Sequence, residues 1–274
     1  MNSQREDDPT RFSSVRRCRA AGSPERSAEE EKMIKYMAAR LMAGIMLLGV
    51  ASASADDVKP LTMDGHKYYL HVPRSVVKVV PNDTLAVTNA GLLLWLHSGG
   101  IGAKDQFDWW LKSKQFDQEV ILLCPEAMDI ANGWNVERDM KFVRSLLDQT
   151  VKEYGIPSSR IVIAGHSQGG SHAWWLALQM QEKIAAILAC KCLAPLPPPQ
   201  AAKPKPPRTI WYYAENDPYT PMAKPLESKA QMEKAGYAIE VFKDNLKHAL
   251  GPKAQELHAM LRKWITEQQR QFVK

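Results

Sequence analysis

The sequence predicts an α/β protein with a mostly parallel central sheet, helices on both faces and no large cap domain. Three observations predict it. Short, predominantly apolar runs alternate with amphipathic stretches, the amphipathic stretches carry a helical period, and one apolar run ends in a glycine-flanked serine leading straight into a helix-like segment. A strand covered on both faces must be apolar along its length, whereas a helix covered on one side needs only a stripe. Their alternation is the pattern of strand–helix–strand crossovers, which build parallel sheets.

Taken in order, KYYLHVP (67–73) and the segment around 76–87 predict an opening antiparallel ribbon. LLLWLH (92–97) and VILLCP (120–125) are the first buried strands. Residues 139–154 place Phe142, Val143, Leu146, Leu147 and Val151 at helical spacing, and Gly155 supplies a stop. RIVIAG (160–165), AAILACKCL (185–193), TIWYYA (209–214) and AIEVF (238–242) are further strands, with helices over 170–182, 226–235 and 253–269. The stretch APLPPPQAAKPKPP (194–207) suits neither helix nor sheet ladder. An exposed polyproline-like loop is expected there, which leaves no room for a helical lid.

Lys and Arg outnumber Asp and Glu by 36 to 30, a dispersed surplus that points to no nucleic-acid partner. Residues 32–40 carry three positive charges and no acid, residues 41–50 have no polar side chain, and ASASA follows. That order is the layout of a secretory signal peptide cleaved after Ala55. The apolar stretch is too short for the roughly 20 residues that cross a bilayer, so no stable membrane anchor is expected after cleavage. Residues 33–55 are therefore assigned to a signal peptide, with Met33 as initiator and 1–32 as a disordered or non-native extension. Residues 56–274 form a single domain, secreted or periplasmic. Its three cysteines, Cys124, Cys190 and Cys192, sit in apolar runs and suit small core residues. Since the C-x-C pair has no partner pair at zinc spacing, neither a metal nor a cofactor is expected.

The chemistry centres on G-x-S-x-G at Gly165, His166, Ser167, Gln168 and Gly169. A strand before it and an amphipathic run after it give the strand–turn–helix setting in which the turn strains the serine and exposes its hydroxyl. A serine needs a base to take its proton and a carboxylate to orient that base. In the chain order serine, acid, histidine, the loop ENDPYTP offers Asp217, with Glu215 as the alternate, and KHALGP offers His248. His258 falls in a helical run, His172 in the helix after Ser167, and His166 suits shaping the turn. The oxyanion of a tetrahedral intermediate needs two N–H donors. Gln168 supplies one, and Gly99 in HSGGIGA the other.

LLLWLHSGG, GWN with an aspartate-led helix, YGIPSSRIVIAGHSQGG, ENDPYTP and KHALGP together resemble the α/β-hydrolase superfamily over about residues 65–270. Within it the chain is similar to exported esterases of the polyhydroxybutyrate depolymerase and feruloyl esterase type, and more loosely to the phospholipase/carboxylesterase group. The resemblance implies a serine esterase working through an acyl-enzyme on a small-molecule or polymer-linked ester. A serine peptidase on the same fold and a non-catalytic, hydrolase-like binding protein are the alternatives. One departure is His97-Ser98 where such proteins have His-Gly, which leaves the second oxyanion donor open. Ser98, Trp109 and Trp134 are candidates for the substrate pocket; Trp109 and Trp110 equally suit the start of a helix packed inward.

Overall fold

Leu92 to Leu96 are all 1% exposed or less, which only a strand flanked by other strands and covered on both faces can achieve. This strand is the middle of an eight-stranded sheet whose order, by residue range, is 61–63, 66–71, 120–125, 91–96, 161–166, 186–190, 208–214 and 239–244. The computed structural model describes residues 59–112 except 75, 81–83 and 88–89, then 120–194, 206–220, 223–250, 256–257, 259–261 and 265. All of them belong to one compact unit, Ser54–Lys274. The expected extension, signal peptide and cleavage site lie outside the described residues, as do residues 195–205 of the proline-rich loop. Among the described residues no helix is long and apolar enough to cross a membrane.

Strands β5 (Gly91–Leu96), β6 (Val120–Pro125), β7 (Ile161–His166), β8 (Ala186–Cys190), β9 (Arg208–Ala214) and β10 (Ile239–Asp244) run parallel. β1 (Leu61–Met63) and β2 (His66–His71) add an antiparallel edge, β2 pairing with β6. The opening ribbon expected from 67–73 and 76–87 is therefore corrected. β3 (Val77–Val80) and β4 (Thr84–Val87) pair only with each other, in a separate two-stranded sheet. β2 instead joins the main sheet, where Tyr68 and Tyr69 are buried.

Alternate residues of each central strand feed two apolar layers. Leu92, Leu94, Leu96 and Ile163 pack with α2 (Val136–Tyr154) and α3 (Gln168–Gln179) through Leu147, Val143 and Trp174. Met232 of α4 (Ala223–Lys234) joins the same layer. Leu93, Trp95 and Val162 face α1 (Ala103–Lys112), through Phe107 and Trp110, and Leu257, Leu261 and Ile265. Each fully buried aliphatic side chain contributes about 2 kcal/mol, so the parallel centre holds the domain and leaves its loops available for chemistry.

Three helix starts are earlier than the periodicity indicated, that of α4 by lying at Ala223 rather than 226. α2 begins at Val136 because the Asn135 side chain accepts from Arg138 N (2.9 Å) and caps it, and it ends at Gly155 with φ 60°. α3 begins at Gln168, immediately after the serine. Its two glycines at 169 and 170 interrupt no apolar stripe, but they hide the first turn from a reading based on period.

Candidate active site

The residues singled out for chemistry leave the sheet at its carboxyl edge: Gly99 after β5, Ser167 after β7, Asp217 after β9 and His248 after β10. β6 lies on one side of β5 and β7 on the other, so the winding of the chain reverses between β5 and β7. Such a reversal opens a crevice beyond the strand ends.

Ser167 has φ 56° and ψ −126°, a conformation that residues with a Cβ rarely adopt. Close backbone approach enforces it. A Cβ on Gly165 would lie 2.5 Å from Gly169 O, and one on Gly169 would lie 2.2 Å from His97 O and 2.3 Å from Leu96 O. These obstructing atoms are main-chain atoms and cannot swing aside. Ser167 N–H donates to Cys190 O (2.8 Å), so the turn is also tied to β8.

The serine hydroxyl is 2.7 Å from His248 Nε2, and His248 Nδ1 is 2.7 Å from Asp217 Oδ2. With Nδ1–H donating to the carboxylate, Nε2 is left to accept the serine proton. Asp217 Oδ1 accepts from the N–H groups of Tyr219 (2.9 Å) and Thr220 (3.3 Å). Burial alone would raise the Asp217 pKa, but the bonds from His248 and Tyr219 outweigh it and hold the carboxyl below its ordinary value. Glu215, the alternate acid, is on the surface with Lys243 Nζ 2.8 Å away. His258 lies outside the described residues, and His172 Nδ1 bonds Gln168 O at 2.9 Å.

Gln168 opens α3, whose N-terminal end points at the serine turn. Its side chain braces the neighbouring loop: Oε1 accepts from Trp134 N (3.1 Å) and Nε2 donates to Asn132 O (3.2 Å). Gly99 lies against it, since a Cβ there would be 2.9 Å from Gln168 Oε1. The next two N–H groups are engaged, Gly100 with Ile130 O (2.9 Å) and Ile101 with Ser98 O (3.3 Å).

The pocket candidates require correction. Trp134 is 4% exposed, and its indole N–H donates to His97 O (2.7 Å); it is a strut beneath the loop rather than a surface platform. Trp109 lies within α1 and packs on Trp95 and Trp110, with ring centroids 6.4 and 5.1 Å away. The inward-packed alternative thus describes it, except that the helix begins at Ala103 and Trp109 lies well inside it. Ser98 is buried with its hydroxyl 2.6 Å from His166 Nδ1 and accepting from Gln106 Nε2 (3.1 Å). Tyr219, unremarked in the sequence reading, is 74% exposed and stands edge-on to His248 at 4.8 Å.

Three further buried polar residues were given no structural role in the sequence reading. His97 Nε2 accepts from Ala127 N (2.9 Å), tying the loop after β5 to the loop after β6. Burial lowers the His97 pKa, which suits an imidazole that accepts at Nε2. Asp139 accepts from Asn135 N (2.8 Å) and from Arg138 Nε (2.8 Å) and Nη2 (2.9 Å), fixing the chain before α2. Lys191 follows β8 with a side chain wholly buried. For His97 and Lys191 a polar residue inside or next to an apolar run was the available signal, because burying one without partners is costly; Asp139, among charged neighbours, carried no such mark.

The sequence profile described as phospholipase/carboxylesterase matches residues 124–265. The chain is 35% identical over 71 residues to an acyl-protein thioesterase 1 homologue of Dictyostelium discoideum, covering 26% of this chain and 32% of that protein. It is 31% identical over 72 residues to a bifunctional acetylxylan esterase/xylanase of Neocallimastix patriciarum, covering 26% and 11%. The matches thus span less than a third of either relative. Among solved structures, the carboxylesterase of Bacillus cereus superposes with TM-score 0.54 at 20% identity, covering 72% of this chain and 95% of that one; it shows a shared fold.

Proposed function

As the chain belongs to the phospholipase/carboxylesterase family, we propose that it is an exported serine esterase acting through an acyl-enzyme on Ser167. The observation that carries this reading is the pair of 2.7 Å contacts linking Ser167, His248 and Asp217. Ser167 Oγ attacks the ester carbonyl carbon as its proton passes to His248 Nε2, and the carbonyl electron pair moves onto oxygen. The N–H groups of Gln168 and Gly99 receive that oxyanion; such a donor contributes about 10²–10³-fold in rate. Collapse of the intermediate expels the alcohol, which takes the proton from His248. Water then repeats the sequence on the acyl-enzyme and releases the acid. Asp217 keeps the imidazole in the tautomer that both steps need.

Purified protein should hydrolyse p-nitrophenyl acetate, and Ser167→Ala should lose nearly all of that activity. Undiminished hydrolysis by Ser167→Ala would overturn the reading.

The proline-rich 194–207 segment supports an open site suited to dissolved or polymer-tethered short esters. An acetylxylan esterase among the relatives makes acetylated polysaccharide a natural probe beside the p-nitrophenyl series. Initial rate against triacylglycerol concentration should pass smoothly through the solubility limit; a jump there would replace the open site with a lidded one. The order of charged, apolar and small residues over 32–55 supports export, with Asp56 as the mature N-terminus. Mass analysis of protein recovered outside the cytoplasm checks it, and intact residues 1–32 on that protein would contradict it.

A further inference from the structure

Three consecutive carbonyls of the loop carrying His248 accept hydrogen bonds from buried side chains. Lys191 Nζ donates to Lys247 O (2.7 Å) and to Ala249 O, and His166 Nε2 donates to His248 O (2.8 Å). The ammonium also lies 3.4 Å from Asp244 Oδ2, and the Tyr212 hydroxyl donates to that same oxygen. Lys191 sits 56 residues before one carbonyl and 58 before the other. It reaches them because β8 and β10 flank β9. Its backbone has φ 46°, which turns the chain sharply as it leaves β8.

A lysine head has three donors and no acceptor. Here two go to the carbonyls on either side of one residue and the third to a carboxylate that balances the charge. Both ends of the pair are 0% exposed, so it cannot be explained as surface charge. Burying two ions often costs more than burying an apolar pair of the same volume, so stability alone does not account for the pair. Burial pulls the Lys191 pKa down and Asp244 pulls it back up, as expected for an ammonium retained inside the fold. What the arrangement holds is the backbone on both sides of His248, whose two ring nitrogens must meet Ser167 and Asp217 at once.

We propose that Lys191 is a positioning residue: by gripping the carbonyls of Lys247 and Ala249, it sets the imidazole of His248 between Ser167 and Asp217. The inference rests on the esterase reading above. Displacing a reacting group by about 1 Å costs about 10²-fold in rate, which is the effect expected when the grip is removed.

The test compares wild type with Lys191→Met/Asp244→Asn, which removes both charges together, and with Lys191→Gln/Asp244→Asn, which restores one neutral donor. Folded sites are counted by end-point labelling with a fluorophosphonate, and kcat is expressed per labelled site. The Met variant loses about 10²-fold in kcat with KM within a few-fold of wild type, and the Gln variant recovers part of the loss. The low-field proton resonance of the His248–Asp217 hydrogen bond, assigned by its absence in Asp217→Asn, shifts or disappears in the Met variant. Wild-type kcat per site and an unmoved resonance would overturn the proposal. So would failure of both variants to fold, which would assign Lys191 to domain stability alone. Absence of Ser167-dependent hydrolysis in wild type is a separate result that strikes the esterase reading.

Discussion

Ser167 and His248 meet at 2.7 Å, yet different forces hold them. On the serine side, main chain is pressed against main chain: Gly165 against Gly169, and Gly169 against the carbonyls of Leu96 and His97. Nothing there depends on charge. On the histidine side the loop after β10 is held by side chains that arrive from β7, β8 and β9, namely His166, Lys191 and Asn216, and two of these are ionisable. Under the proposed reading, a nucleophile locked by local sterics and a base suspended on distant polar groups should respond differently to mutation and to pH.

The largest effect should come from breaking the junction itself. His248→Ala and Ser167→Ala each lower kcat by about 10⁴–10⁶, and the double variant is scarcely worse than either, because the residues act as a unit. Steady-state kinetics on an activated ester check this. Asp217→Asn keeps the fold and lowers kcat by about 10⁴, since the wrong imidazole tautomer then faces the serine. Glu215→Gln, on the exposed side of the same loop, leaves kcat unchanged.

The next effect separates the two sides. Gly169→Ala forces a Cβ into main-chain oxygens and costs about 3 kcal/mol of stability, seen as a lower midpoint in urea together with lost activity. No neighbouring side chain can relieve that contact.

The smallest effect at neutral pH belongs to His166, and it grows on acidification. Burial, with repulsion from His248 and Lys191, lowers the His166 pKa to about 4, although its bond to His248 O opposes the change. An unfolded histidine titrates near 6.5, so below that pH the unfolded chain binds a proton that the folded chain refuses. The stability His166 contributes is therefore complete above about pH 6.5 and is lost, by about 3 kcal/mol, as pH falls to about 4. His166→Gln keeps a donor for the His248 carbonyl and lacks this titration. Urea unfolding of both proteins across that range should show a steeper acid slope in wild type.

The same contrast explains what the sequence revealed. The strand at Leu92–Leu96 was legible because burial on both faces leaves an uninterrupted apolar run, and Ser167 because its steric needs are written within five residues. Asp217 and His248 could be placed by chain order and the ends of strands. The separate pairing of β3 with β4 could not, since short apolar segments carry no mark of their partner. Lys191 was hidden for a related reason. Its partners at 247 and 249 are backbone carbonyls, which have no sequence signature, although a lysine in AAILACKCL was a visible anomaly. Ser98 and Trp134 looked like pocket residues because they lie beside the crevice, but their polar atoms turn inward to His166 and His97.

The central claim is that His248, held by Asp217, activates Ser167. A fluorophosphonate reacts at a useful rate only with a serine so activated. Intact-mass and peptide analysis of the labelled protein should show one adduct per chain, on the peptide containing Ser167, formed about 10⁴-fold more slowly in His248→Ala. Labelling that persists in Ser167→Ala, or proceeds at the wild-type rate in His248→Ala, would contradict the account.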